Sequence, residues 1–307
     1  MTMNIQQLKI IIELSNGKTL QEIAELLNLT QPTVSFHLRK LEAEMGVELV
    51  HKHSRSLRTT EATAELLPYA RRIVSLLEEA KLRMDTRRRL ALTKLRLGAS
   101  YTPATFFMPS FLSEFQSLHP QMQLLITVNK ASEVLNMLRL YEIDASIVSL
   151  PDIEEEGLII HRLLEDELKL VFSPAHPLAK LDHIQAKDLE NQTFLLHESG
   201  STSRTLTDEW ASQVGLQFGH IMELGAIETI KEVLKFNMGV GVLPERSVLR
   251  ETATGELLMQ SLPDYRNRRY ISLVYRIEDM LSPQVDTFVQ FALSRMGGPH
   301  QLNSLLR

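Results

Sequence analysis

Apolar residues recur at every third or fourth position through the first 92 residues, then gather into short dense runs. That change of rhythm divides the chain. Residues 4–15, NIQQLKIIIELS, set Ile5, Leu8, Ile11, Ile12 and Leu14 at helical spacing, and Asn16-Gly17 ends the helix. Thr19 opens a second helix, TLQEIAELLN, with Glu22 three residues on as a capping box and an apolar face of Leu20, Ile23, Ala24 and Leu27. After the turn at Asn28-Leu29, Thr30 caps a third helix. Pro32 sits in its first turn, where a missing N–H costs nothing, Val34, Leu38 and Leu41 form the buried stripe, and Gly46 is the stop. Two short helices joined by a few residues, the second the more polar, predict a helix-turn-helix. VELVHKHSRSLRTT (47–60) then reads as two short β-leaning runs around a basic turn, a small wing carrying Lys52, Arg55 and Arg58.

A long helix is predicted from about Glu61 to Leu92. Its residues Leu66, Ala70, Ile73, Leu77, Ala80 and Met84 are spaced 4, 3, 4, 3, 4, and Leu67 and Val74 widen the stripe. A heptad seam of this kind predicts a partner helix and hence a dimer; the same spacing also suits a helix lying on its own domain.

From Lys94 the texture is that of strands alternating with helices. LRLGAS, a helix of about 103–118, QLLITV, a helix at 132–141 and DASIVSL give a β-α-β-α-β order that predicts a parallel sheet. A second block starts at LKLVFS near Leu168. It runs through TFLLHES, a helix at 203–214, a strand near 220–224, a helix at 226–237 and VGVLP. YISLVYR (270–276) and a last helix, about 282–296, return toward the first block. The predicted organisation is 1–60, a small and mostly helical winged helix-turn-helix domain; 61–92, a linker helix; and 93–307, an α/β domain of two lobes. Lobe I takes about 93–165 and 267–300, lobe II about 166–266. Two α/β lobes with the chain crossing between them imply a ligand cleft at the junction.

Composition sharpens this picture. The net charge of −5 is unevenly spread: the first 96 residues hold 16 Lys+Arg and 11 Asp+Glu, so +5, and the rest carries −10. A basic first third on an acidic body points to a polyanionic partner, although chance gives such imbalances too. With no cysteine in 307 residues, a disulfide framework, a cysteine zinc site and a cysteine nucleophile are excluded. The N-terminus has no basic segment followed by an apolar run, and no stretch approaches 18 uninterrupted apolar residues, so a cytoplasmic protein with no membrane contact is expected.

Enzyme signatures are weak. Asn16-Gly17-Lys18-Thr19 echoes the end of a P-loop without its first glycine or a preceding strand, and Gly239 and Gly241 begin a glycine fingerprint that Pro244 terminates. A nucleophile elbow is missing. His51 and His53 lack a third metal ligand nearby, Glu154-Glu155-Glu156 reads as a solvated loop and His176-Pro177 as a turn. No metal site and no cofactor are expected.

Taken in order, LTQPTVSFHLRKLEAEMGVEL (29–49), the wing followed by TEA (60–62), the long helix, FLSEFQSLHPQMQLLI (111–126), YEIDASIV (141–148), SPAHPLA (173–179) and MGVGVLP (238–244) make the chain resemble a LysR-type transcriptional regulator over essentially its whole length. The resemblance implies a winged helix-turn-helix, a dimerising linker helix and a two-lobed effector domain like that of periplasmic binding proteins. It also implies a homotetramer on promoter DNA whose binding responds to a small metabolite. The chain departs from the usual pattern at Ala62-Thr63, where an Ala-Gly pair is common, at Val50 and Lys52, where Phe and Arg are common, and at Phe36, where a basic residue is typical.

The polar face of the third helix is then a major-groove reading face, with a merely solvated face as the alternative. Gln31 can pair with adenine, Thr33 and Ser35 with bases or phosphates, and Pro32 and Thr33 with a thymine methyl. His37 and Arg39 lie nearer the backbone. Thr30 and the helix start offer N–H groups to phosphate, and Lys52, Arg55 and Arg58 would place the wing. For the effector, loops ending strands in hydroxyl residues are the candidates: Ser100, Tyr101 and Thr102; Asn129 and Ser132; Ser199, Gly200, Ser201 and Thr202; and Ala226. By the resemblance they line the cleft and suit a small anion; each is also an ordinary helix-cap residue. Lys130 and Arg204 are weaker candidates. The competing class is a binding protein or enzyme on the same lobes, with the N-terminal helices serving only to oligomerise.

Overall fold

The structure is a computed structural model that describes residues 3–53, 56–84, 93–277 and 283–296. It forms two compact units, Met1–Leu92 with Arg139–Ile143, and Thr93–Leu138 with Asp144–Arg307.

The first unit opens with α1 (Ile5–Ser15). Asn4 and Gln7 cap it reciprocally, each side chain accepting from the other's backbone N–H. Thr19 and Glu22 do the same for α2 (Leu20–Leu26), and those hydrogen bonds hold the Glu22 carboxyl below its ordinary pKa. Asn28, in the left-handed region at φ 54°, makes the turn into α3 (Gln31–Met45). Gly46 ends α3 at φ 71°, a conformation that a side chain would strain. The antiparallel hairpin of β1 (Val50–His53) and β2 (Ser56–Thr59) follows, then α4 (Glu61–Met84). Ile10, Ile11, Leu14, Ile23, Val34, Leu38, Leu41, Leu49, Val50 and Leu66 make one core. Glu42 Oε1 accepts from the N–H groups of Leu49 (2.9 Å) and Val50 (3.3 Å), which ties the hairpin to α3. Thr63 is buried and donates its hydroxyl to the Leu49 carbonyl, so a polar side chain at this position is satisfied.

The seam expected along α4 is corrected in part. Leu66 and Ala70 are buried within this unit, where α4 packs on α1. The apolar residues α4 leaves open are Tyr69 (66% exposed), Ile73 and Leu76 (55%), with Ala80 also exposed. Leu77 is half-buried; the Met84 side chain and residues 85–92 of the expected helix lie outside the described residues.

In the second unit the elements are β3 (Thr93–Ser100), α5 (Tyr101–Phe106), α6 (Met108–Leu118), β4 (Met122–Asn129), α7 (Ala131–Arg139), β5 (Ala145–Pro151), β6 (Leu158–Glu165), β7 (Leu168–Phe172), β8 (Thr193–His197), α8 (Thr202–Gln213), β9 (His220–Leu224), α9 (Ile227–Lys235), β10 (Val240–Pro244), α10 (Leu249–Ala253), β11 (Leu258–Ser261), β12 (Arg269–Arg276) and α11 (Pro283–Met296). Lobe I is a sheet of order β4-β3-β5-β12-β6, lobe II one of order β11-β7-β10-β8-β9. The expectation of a parallel sheet holds for β4, β3 and β5; β12 runs antiparallel to β5 and β6, and β7 antiparallel to β10 and β11, so both sheets are mixed. The helix expected over 103–118 breaks at Phe107. Pro109 has no N–H to continue the ladder across the break, and it stands in the first turn of α6, where none is needed.

Lobe I closes on Phe111, Phe115 and Phe288, so α11 packs on the first sheet. Lobe II closes on Phe172, Phe194, Leu206 and Trp210, whose indole donates to the Pro263 carbonyl at 2.8 Å. At Gly239 a Cβ would stand 2.2 Å from the Thr193 carbonyl oxygen, so this glycine permits a close backbone approach beside β8 and cradles no phosphate. Among the described residues no helix is long and apolar enough to cross a membrane, and no cluster of His, Asp or Glu could hold a metal ion.

Candidate nucleic-acid interface and ligand cleft

In the first unit α3 buries Val34, Leu38 and Leu41 and turns Gln31, Pro32, Phe36, Arg39 and Lys40 outward. Positions 32, 36 and 39/40 follow the helical repeat, so they form one exposed ridge opposite the core. The ridge is basic and carries no carboxylate from Gln31 to Leu41. Thr30 and Thr33 are partly committed: the Thr30 hydroxyl caps the Thr33 N–H at 3.4 Å and meets the Thr33 hydroxyl at 2.8 Å. With Pro32 lacking an N–H, the helix start offers fewer free donors than the sequence implied. Ser35 is half-exposed. His37 is half-buried, its Nδ1 enclosed, and its backbone carbonyl accepts from Gln7 on α1 at 3.4 Å. Arg58 is exposed on β2; Arg55 and the Lys52 side chain lie outside the described residues.

In the second unit a cavity of about 350 Å³ lies between the lobes. Ser100, Tyr101, Thr102, Ser201, Thr202 and Ala226 line it, as the sequence placed them. Asn129, Ser132, Ser199 and Gly200 stand outside its lining. Asn129 accepts the Lys130 N–H (2.9 Å) where the chain enters α7, Ser132 faces solvent, and Ser199 and Gly200 lie in an exposed turn. Arg204 is not in the lining either; Asp208 and Glu223 hold it, and it donates to the His197 carbonyl at 3.1 Å. Thr105, Ser149, His197, Glu198, Ser203 and Arg269 belong to the lining and were missed.

Arg269 and Asp166 hold the two places where the chain crosses between lobes. Their side chains are ion-paired and enclosed, Arg269 being 2% exposed, and the Asp166 N–H donates to the Arg269 carbonyl at 3.0 Å. From this pair a polar chain runs into the cavity wall. Arg269 donates to the Thr102 hydroxyl (3.3 Å), the Ser149 hydroxyl to Asp166 (3.0 Å) and the Ser149 N–H to the Ser100 hydroxyl (2.9 Å). His197 is neutral at physiological pH. Burial, then the Arg269 charge, pushes its pKa down to about 4, against the weaker opposing pull of Glu198. Arg269 Nε and His197 Nε2 are buried with no partner among the described residues. Such groups cost about 1–3 kcal/mol until a ligand or water supplies one. Lys130 of lobe I pairs with Glu198 of lobe II at 3.1 Å, so this ion pair crosses the cleft.

Two family models cover the chain: "Bacterial regulatory helix-turn-helix protein, lysR family" over residues 5–64 and "LysR substrate binding domain" over 89–297. The RuBisCO operon transcriptional regulator of Allochromatium vinosum is 27% identical across 98% of this chain and 99% of its own. The HTH-type transcriptional regulator YwqM of Bacillus subtilis, itself uncharacterised, is 30% identical across 83% and 87%. Among solved structures, full-length OxyR from Pseudomonas aeruginosa superposes with a TM-score of 0.79 at 22% identity over 95% of each chain.

Proposed function

This chain belongs to the LysR family of transcriptional regulators, and on that premise we propose that it binds promoter DNA through α3 and the hairpin, under the control of a small anion held between the lobes. The observation that carries the ligand reading is the convergence on one cavity of eight hydroxyl-bearing residues, Ser100, Thr102, Ser201, Thr202 and Ser203 among them, together with the enclosed Arg269. The unpartnered Arg269 Nε–H calls for an acceptor, and the hydroxyls can serve either side of a hydrogen bond. A carboxylate or phosphate bearing hydroxyls answers both demands. Acting on DNA places the protein in the cytoplasm, and no cofactor is needed beyond this ligand. Self-association runs through the open apolar stripe of α4, with a tetramer as the complete assembly. The regulatory step is a two-state coupling between cleft and DNA, worth a few kcal/mol.

The test has two parts. DNA affinity of the full chain is measured against salt; a log–log slope of about −0.9 per phosphate neutralised is expected, and a flat response would remove the DNA reading. A panel of hydroxy acids and phosphorylated acids is then screened by thermal shift. A hit that Thr102→Val abolishes and that changes the footprint supports the reading. A hit that leaves footprint and transcription untouched defeats the coupling.

A further inference from the structure

Phe36 has no structural task. Its ring stands 62% exposed in the middle of α3, outside the core that Val34, Leu38 and Leu41 enter, and its one ring neighbour is an edge contact with His37 at 6.0 Å between centroids. Leaving a phenylalanine in water forgoes the burial that normally stabilises it. Its surroundings indicate what covers it. Pro32 lies one turn before, Arg39 and Lys40 one turn after, all exposed, and no Asp or Glu occurs from Gln31 to Leu41. An apolar ring with an exposed proline on one side and two cations on the other fits a surface that sets phosphates beside a small apolar group. The major groove of DNA is such a surface: the thymine C5 methyl is its one apolar feature, and a phenylalanine can reach it.

We infer that Phe36 is a specificity-determining residue that reads a thymine methyl in the major groove, with Arg39 and Lys40 on the flanking phosphates. The inference rests on α3 being the helix that enters the groove. It assigns the position to apolar contact, so the base preferred there is thymine, and 5-methylcytosine presents the same methyl at the same place.

The experiment starts from a duplex selected from random sequence by the full chain. Each thymine is replaced in turn by deoxyuridine, which removes only the methyl group. At one position per half-site the natural protein is expected to bind about fourfold more weakly, the worth of burying one methyl. Phe36→Ala should bind the thymine duplex with a similar loss and be indifferent to uracil there, while remaining sensitive to salt. Phe36→Leu, which keeps an apolar tip, should retain part of the discrimination. Site-specific binding by the natural protein with no uracil effect anywhere would overturn the inference and leave the DNA reading intact. A uracil effect that persists in Phe36→Ala would assign the methyl to another residue and overturn it too. Absence of any site-specific binding would remove both. A Phe36→Ala protein with altered oligomeric mass and unchanged base preference would show that the ring serves a protein contact instead.

Discussion

The carboxylate of Asp166 and the guanidinium of Arg269 are the two charges the fold encloses most completely where its lobes join. A buried ion pair adds little net stability, because the desolvation of both ions offsets their attraction; removing one partner strands the other. Asp166→Ala is therefore expected to cost about 3–5 kcal/mol. Asp166→Ala with Arg269→Met should recover much of that loss, as read by urea unfolding followed at Trp210, the single tryptophan. A single variant as stable as the natural chain would contradict the enclosure. His197 gives a second expectation. Its pKa in the folded chain is about 4 against an ordinary 6.5. Between those values the unfolded chain takes up a proton that the folded chain refuses. Stability is then full above about pH 6.5 and falls toward pH 4, by on the order of 3 kcal/mol for this group. His197→Gln should flatten that slope, and parallel curves for the two proteins would refute the assignment.

At the scale of elements, α4 carries two stripes with different work. Leu66 and Ala70 belong to the core of their own unit, while Tyr69, Ile73, Leu76 and Ala80 repeat at 4, 3 and 4 along the open face. Leu66→Ala should cost about 2–5 kcal/mol of stability, whereas Leu76→Asp should leave the fold intact and lower the oligomeric mass in light scattering. Equal effects from both would show that the stripes are not separate. The sequence made α4 plain through its period, but could not rank two overlapping stripes, because the ranking depends on where α1 packs. The same limit explains other differences. The caps at Thr19, Thr30 and Gly46 were legible because their partners lie within four residues. The strand β6, LIIHRLLE, and β11 were missed, because each is edge to a sheet whose neighbours are distant in sequence: β6 pairs with β12 more than a hundred residues later. In the cleft, Ser100, Thr102, Ser201 and Thr202 could be found from strand ends that run into helices. Arg269 could not, since it reads as one charge in the basic run RNRR (266–269), and only the fold places it against Asp166, 103 residues away in sequence.

For the two-lobed unit as a whole, the pair between Lys130 and Glu198 decides how a charged ligand could be sensed. Both side chains are about one-third exposed, so the pair contributes at most about 1 kcal/mol and is easily exchanged. An anion entering the cavity competes with Glu198 for Lys130 and so loosens this link between the lobes. Two substitutions should then move its affinity in opposite directions. Lys130→Gln removes the cation, and binding of the anion found in the screen should weaken about three- to tenfold. Glu198→Gln removes the competitor, and binding should strengthen by about two- to fivefold, most visibly at low salt where the repulsion is least screened. A neutral ligand has no reason to distinguish the two variants by sign. Titration calorimetry on both proteins therefore reads the charge of the ligand from the protein side: opposite shifts require an anion, and two shifts of the same sign would mean that hydroxyls alone hold it.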